Sequence, residues 1–506
     1  MKKDILINGA VALGAILFNF IFWNEMKGLN ILIFAVFLVA SLWFLNKESF
    51  FERKVQITAG GVFLSALMVV LHNSLFSKFI HILSIPILVG FVQVRTLRFI
   101  GLASFLYVAN LVQVPFHLTQ QMKKIPILGR HQNLFTYLRI AFLGLLILPI
   151  FYSIYYNANP SFAELADGFW EKFFEFLSFD WNFERVVFFL LGLFLTGAAL
   201  WKHTLTNPEK LENYCPDELN PHDFQESGKL NIFNFSIDDR YRTGITLLIS
   251  LNALILLNNI LDFQHVWLGS ALTRSPWELK QYVHEGTFLL IWGILLAIAV
   301  LTYLFWGALN FHPKASILRG LGLAWLAQNA FLALSVGCRN WQYIDHCGLA
   351  YKRIGVFIFL TLTLFGLYFM YLKIKEKHSF YFVIRRTFWA FYGVLLACCF
   401  INWDVFISKY NIETPVKTGI IDLHFLLDEV SAKNLPLLYN NQDILKTHFD
   451  KITDGSKERM GSFDSRYNAK KNRFLQEQNT YSWLSWNYAD YKVSQFLKEN
   501  NLNINN

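Results

Sequence analysis

Between Gly286 and His312 the chain carries no charged side chain: residues 287–311 are twenty-five positions rich in Leu, Ile, Ala, Phe and Trp. A helix needs roughly 20 such residues to cross the hydrocarbon core of a bilayer. About a dozen similar runs fill the first 403 positions. The expected fold is therefore all-α, a polytopic transmembrane helical bundle of about 11–12 spans over 1–403. A small, mainly helical soluble domain is expected over 404–506.

Composition agrees with a lipid solvent. Hydrophobic residues make up 54%, aromatic residues 17% and charged residues only 16% of the chain. The formal net charge of +9 raises nucleic acid as a partner, but residues 402–506 hold 13 Lys/Arg and 13 Asp/Glu. The whole excess thus sits in the membrane part, where topology and anionic headgroups explain it without nucleic acid. The expected partner is the lipid bilayer of the cell membrane.

The first apolar run, Ile5 to Trp23, follows Lys2 and Lys3 but ends in Phe20, Ile21, Phe22 and Trp23, without a small-residue cleavage site. It reads as an uncleaved span. Further spans are expected at about 28–45, 55–72, 79–94, 99–116, 139–156, 186–201, 243–261, 287–309, 319–337, 354–372 and 387–403. Lys and Arg in the connections set the orientation. Segments 117–139, 202–242, 310–319 and 373–386 together hold 16, whereas 157–185, 262–286 and 338–353 hold 7. The richer set is expected in the cytoplasm and the tail outside it. Twelve spans would leave Lys2, Lys3, Lys47, Arg53 and Lys54 external. Either the amino terminus is external or one of 79–94 and 99–116 does not cross; the second is favoured because Arg95 and Arg98 interrupt a proline-containing stretch.

Residues 161–183 place Phe162, Leu165, Phe169, Phe173, Phe176 and Leu177 at helical spacing opposite Glu164, Asp167, Glu171 and Glu175. An amphipathic helix lying in the interface is expected there, as a cover over the bundle or as a gate. In the tail, Ile420, Leu423, Leu426, Leu427 and Val430 mark one amphipathic helix and Tyr488 to Leu497 another, with the Asn/Lys-rich 454–480 partly loop.

Phosphate-loop, nucleophile-elbow, zinc-helix and paired Cys-x-x-Cys signatures are missing from the sequence. No catalytic residue, metal ligand or cofactor is expected. Polar groups inside spans are costly in lipid: Asn252, Asn258, Asn259, Gln328 and Asn329. They read as interhelical hydrogen-bonding groups or, alternatively, as a substrate or ion path. A charged rim follows at the external face: His284, Glu285, Arg339, Asp345, His346 and Arg353, with Lys352. It can fix loop geometry, or bind a headgroup or relay a proton. Cys338 and Cys347 share the expected loop 338–353, where a disulfide is possible in an oxidising compartment; two free thiols are the alternative.

Three stretches together resemble an uncharacterised bacterial family of polytopic membrane proteins built on a domain of unknown function. Phe263-Gln264 followed by Tyr282-Val283-His284-Glu285-Gly286 is the first. Arg339 to Arg353, with Tyr343 and Gly348-Leu349, is the second; Ala350 stands where the family pattern has threonine. The third joins Asn402, Asp404, Ile407, Tyr410 and Asn411 to Asp422-Leu423, Leu426, Trp483 and Trp486-Asn487. The resemblance covers roughly 240–506, with a looser match at Gly28-Leu29-Asn30 and Asn159-Pro160, and implies a membrane topology without an activity. Physically, Asn402, Asp404, Tyr410 and Asn411 sit where a helix ends, and can bond freed backbone groups or form a binding site.

Three functions remain open. One is a non-enzymatic scaffold or signal-transmitting protein, its protein partner docking on loop 202–242 or on the tail. The second is a transporter or lipid exporter. The third is a membrane-embedded transferase acting on a lipid-linked substrate at the His284–Glu285–His346 rim.

Overall fold

The computed structural model describes residues 2–123, 148, 151–177, 183–202, 212, 214–219, 236–268, 276–305, 307–414, 419, 421–450 and 462–502. Among them the architecture is all-α, with one isolated bridge between Glu218 and His378. Eight described helices are long and apolar enough to cross a membrane by length and composition, and Leu29–Leu45 and Leu289–Leu304 are shorter apolar helices. The chain is a multi-pass membrane protein.

A first bundle comprises α1 (Lys2–Phe22), α2 (Leu29–Leu45), α3 (Arg53–His72), α4 (Leu75–Gln93), α5 (Ile100–Lys123), α7 (Phe183–Leu200) and, from much later in the chain, α12 (Phe380–Cys398). The helix α6 (Pro160–Leu177) lies between α5 and α7 in sequence. Val11, Leu38, Val62, Ile87, Phe91 and Tyr392 meet in the bundle's buried core. Small residues let helices approach: a Cβ on Gly61 would sit 2.0 Å from the Tyr392 hydroxyl, and one on Gly90 would sit 2.1 Å from the Ala103 carbonyl oxygen.

The two ends of this bundle are distinct. Asn8 near the start of α1 accepts a hydrogen bond from Trp201 just past α7 (3.0 Å), while Trp23 beyond the end of α1 meets Phe188. The two helices are thus antiparallel. Several contacts of α5 fall at one of these ends. Tyr107 donates to the Leu195 carbonyl, Asn110 to Gln93 and the Ala198 carbonyl, His117 stacks on Trp201, and Gln121 accepts from Asn8. These contacts bring both Tyr107 and Gln121 of α5 to that end of the bundle. The 94–99 connection sits at the same end, where Arg98 reaches Glu212 and Asp217, and Arg385 also pairs with Asp217.

A second bundle contains α8 (Ile237–Asp262), α9 (Pro276–Leu304), α10 (Ala315–Cys347) and α11 (Tyr351–Glu376). Leu248, Ile294, Leu301, Phe305, Leu318 and Leu367 form its core. Lys373 is fully buried and donates to the Phe305 carbonyl (2.6 Å), satisfying an acceptor freed where α9 ends. Helix α11 packs on α12 and so joins the bundles.

After α12 a break at Cys399–Asn402 leads into α13 (Trp403–Glu413), α14 (Leu435–Asn440), α15 (Gln442–Asp450), α16 (Phe463–Thr480) and α17 (Tyr488–Glu499). Leu423, Leu426, Leu427, Val430, Phe463 and Val493 form a core that also takes in Ile344, Leu349 and Ile354 from the α10–α11 turn. The tail is therefore built onto one end of the second bundle.

Several expectations need correction. The short loop 338–353 is mostly helix, since α10 runs unbroken to Cys347. Arg339 does not end it, because its charge is matched by Asp262. Cys338 and Cys347 accordingly sit nine residues apart on one helix, roughly 13 Å along its axis, beyond any disulfide geometry. Both are free thiols. Of the stretch 454–480, expected to be partly loop, 454–461 lie outside the described residues and Phe463–Thr480 form an eighteen-residue helix, α16, capped by Ser462 accepting from Ser465 N–H. Its buried Phe463, Tyr467 and Phe474 are too sparse to show a stripe in the sequence. The amphipathic pattern expected as a helix over 161–183 is helical in α6 as far as Leu177, with Leu165 and Phe169 exposed, while 178–182 lie outside the described residues.

Candidate functional site

The α3–α4 turn begins the site. Asn73 takes a left-handed conformation, φ 46°, and Ser74 caps α4 by accepting from Ser77 N–H (3.0 Å). The turn projects Leu75, Phe76, Lys78 and Phe79 toward the tail-bearing face. Opposite stands the first part of α11, with Tyr351, Ile354, Gly355 and Ile358. The tail closes the space from above through Trp403, Asp404, the 429–433 link, Phe474, Glu477 and the 481–487 turn. Between them is a chamber of about 900 Å³, large enough for a small-molecule or headgroup ligand.

Its polar side is ordered by Asp404. This carboxylate accepts from the Tyr351 hydroxyl (2.6 Å) and the Ser431 hydroxyl, and lies 3.7 Å from the Lys433 ammonium. Lys433 also donates to the Asn73 carbonyl (3.0 Å). Asn73 in turn donates to Asp490 (3.2 Å), which accepts from Asn487 as well (2.7 Å). One chain of bonds thereby ties α11, α13, the α3–α4 turn and α17 together. Lys78 is different: among the described residues, no hydrogen bond or ion pair is made by its ammonium.

The apolar side is aromatic. Trp483 is 66% exposed, Trp486 42% and Phe79 56%, while Leu75 is 85% exposed. Ile358 packs onto the buried group Met68, Ile80, Leu395 and Cys399 below. Large indoles beside a polar head region are the chemistry of a membrane–water interface.

The 481–487 turn is locked onto the α1–α2 turn. Glu25 accepts from the Ser482 N–H (3.1 Å) and the Ser485 hydroxyl, and Leu29 N–H donates to the Trp486 carbonyl (2.9 Å). Gly28 is required there, because a Cβ would sit 2.3 Å from the Ser485 carbonyl oxygen. Asn30 completes the lock by donating to Ile21 and Met26 carbonyls and accepting from Gly28 N–H. Segments quoted from the two ends of the sequence, Gly28-Leu29-Asn30 and Trp486-Asn487, meet at this point.

Most of the other expected site residues are placed elsewhere. Asn252 accepts from Gln328 (2.7 Å) and Asn259 donates to the Gln328 carbonyl (3.1 Å), linking α8 to α10. Asn329 donates to the Trp325 carbonyl of its own helix, and the Asn258 amide nitrogen is buried without a partner among the described residues. Arg339 pairs with Asp262, each 6% exposed. His346 Nδ1 lies 2.8 Å from the Gln342 carbonyl. Arg353 donates to the Cys347 and Gly348 carbonyls and lies over the Tyr343 ring. Burial, then the nearby charge of Asp345, raises the Tyr410 hydroxyl above its usual value. The side chains of His284 and Glu285 lie outside the described residues.

At the span–tail junction Asn402 caps α13 by accepting from Val405 N–H (3.4 Å). Asn411 clamps Leu349 through both its backbone N–H and carbonyl (2.6 and 2.8 Å). Only Asp404 of these four junction residues lines the chamber. Lys78 and Lys433 escape sequence reasoning. Starting the span at 79 trims Lys78 away, although a lysine at the mouth of an apolar run is a usable signal.

No curated protein and no solved structure matches the chain. The family model described as a domain of unknown function, DUF4153, matches residues 59–441, which takes in the α3–α4 turn, α11, Asp404 and Lys433 and stops before the Trp483–Asn487 turn. With well over half of its length matched, the chain belongs to the DUF4153 family.

Proposed function

We propose that this protein is a non-enzymatic, signal-transmitting membrane component that binds an amphiphile in the chamber between bundle and tail. One observation carries the reading. The chamber is walled half by span ends and half by the tail, so filling it changes how the two fit together. The transferase alternative draws less support from its rim, where Arg339, His346 and Arg353 are each engaged with Asp262 or backbone carbonyls. The exporter alternative loses ground at Asn252, Asn259 and Gln328, whose amides bond across a helix interface. Of the loop 202–242, residues 214–219 and 236–242 are described together with 202 and 212; it stays a proposed docking segment for a protein partner.

Orientation belongs to the same proposal. Lys47, Arg53, Lys54, Arg95 and Arg98 gather at the end away from the tail, where Lys54 donates to the Arg95 carbonyl, Arg95 pairs with Glu48 and Arg98 with Asp217. That end also holds the start of α12 with Arg385. The positive-inside rule then puts it in the cytoplasm and the tail outside the cell membrane.

Gly355 provides the test. A Cβ there meets nothing within 4 Å, so Gly355→Phe fills space without displacing backbone. Full-length protein released from its membrane for native mass spectrometry is expected to retain lipid, and the Phe variant to lose it. Equal retention by both proteins removes the proposal.

A further inference from the structure

We propose that the amphiphile is a phospholipid whose phosphodiester bears an outboard amine, as in phosphatidylethanolamine. The inference rests on the chamber reading above and names its ligand. Charges in the chamber are sorted by depth. Lys78, on the first turn of the span helix α4, makes no hydrogen bond or ion pair among the described residues, with Asp490 and Asp404 near enough for their charges to act on it, whereas Lys433 is occupied by Asp404 and the Asn73 carbonyl. The same helix start presents the positive end of a backbone dipole. On the tail side the chamber is lined by Glu429 and Glu477, both exposed and both without an ion pair among the described residues.

A phospholipid seated with its acyl chains toward the spans brings its phosphate to the lower level and its ammonium to the upper one. The protein charges run in the complementary order. Exposed Leu75 and Phe79 beside Ile354 and Ile358 give the acyl chains an apolar path. Trp483 and Trp486 offer indole faces at headgroup height, favourable to an ammonium. An anionic headgroup lacking the amine would satisfy Lys78 but leave Glu429 and Glu477 facing negative charge. A choline head brings a charge that cannot donate hydrogen bonds to those carboxylates.

The test uses full-length protein exchanged against vesicles of equal phosphatidylethanolamine, phosphatidylglycerol and phosphatidylcholine with identical chains, followed by native mass spectrometry. Ethanolamine lipid is expected to be retained severalfold over the other two. Lys78→Gln is expected to lower retention about tenfold, the scale of one charge-assisted contact, and Lys78→Arg to restore most of it. Glu429→Gln with Glu477→Gln is expected to move the preference toward phosphatidylglycerol. Soluble glycerophosphoethanolamine is expected not to displace the lipid; displacement at equal concentration makes the free headgroup the ligand and overturns the proposal. Equal retention of all three lipids, or wild-type retention by Lys78→Gln, overturns the ligand class while the Gly355→Phe loss keeps the chamber. Persistence of every lipid in Gly355→Phe takes down both.

Discussion

Lys470 donates to the carbonyls of Leu426 and Val430, which end the turn at 423–429, and burial pushes its ammonium down to about 7. Asp428 and Asp404 pull it upward and Arg473 downward, but burial wins. The folded tail therefore holds fewer protons than the unfolded chain between about 7 and the ordinary 10.5. Stability contributed by this group rises with pH across that window and is flat beyond either edge. Melting of the tail, followed by tryptophan fluorescence, is expected to shift upward from pH 7 to pH 10, and Lys470→Met to flatten the trend. A second residue-scale outcome concerns Arg339. Removing it strands Asp262 at 6% exposure, so Arg339→Ala is expected to cost about 3–5 kcal/mol. Denaturation of the double variant with Asp262→Asn should recover much of that loss. Neither partner choice was legible in the sequence, since nothing in a linear string pairs position 262 with 339. The cost of polar groups in lipid singles out Asn252, Asn259 and Gln328 in the sequence, and in the structure their amides bond between α8 and α10.

At the scale of elements, spans were readable because a bilayer demands long apolar helices, and α3, α4 and α10 through α12 fall close to their expected positions. Their ends were not, because a charge was taken as a stop. Arg339 and Asp345 lie within α10, and Arg385 and Arg386 within α12, each inside a helix that continues past them. The same habit placed two cysteines in a loop that is a helix. Close packing was equally hidden, since Gly28 and Gly90 look like any other glycine until the facing backbone is known. Gly90→Val is expected to force α4 from α5 and destabilise the bundle by about 1–3 kcal/mol or more, as overpacking does. Gly28→Ala should act more locally, freeing the Trp483–Trp486 turn from the α1–α2 turn. Limited proteolysis is expected to cut the tail of that variant faster while the bundle stays intact; unchanged cleavage would contradict the lock.

For the whole molecule, the proposed placement of α5 at one end sets the parity of the crossings. Cysteines introduced at positions 47, 95 and 202 are expected to label from one face of sealed vesicles, and one at 440 from the other. Labelling of 47 and 95 from opposite faces would contradict the arrangement. Net basicity alone does not reconcile the two charged loops with this proposed distribution, which requires α5 to stay at one end. The contact between the α1–α2 turn and residues 482–486 spans some 450 positions. Glu25, Leu29 and Met26 meet those partners only after residues 482–486 have been made. Such a distant pairing is slow to find, and the opening hairpin must wait with its loop groups facing water. Loss of residues 482–486 would therefore leave the bundle free to enter the bilayer while Glu25 and Leu29 keep no hold on the tail.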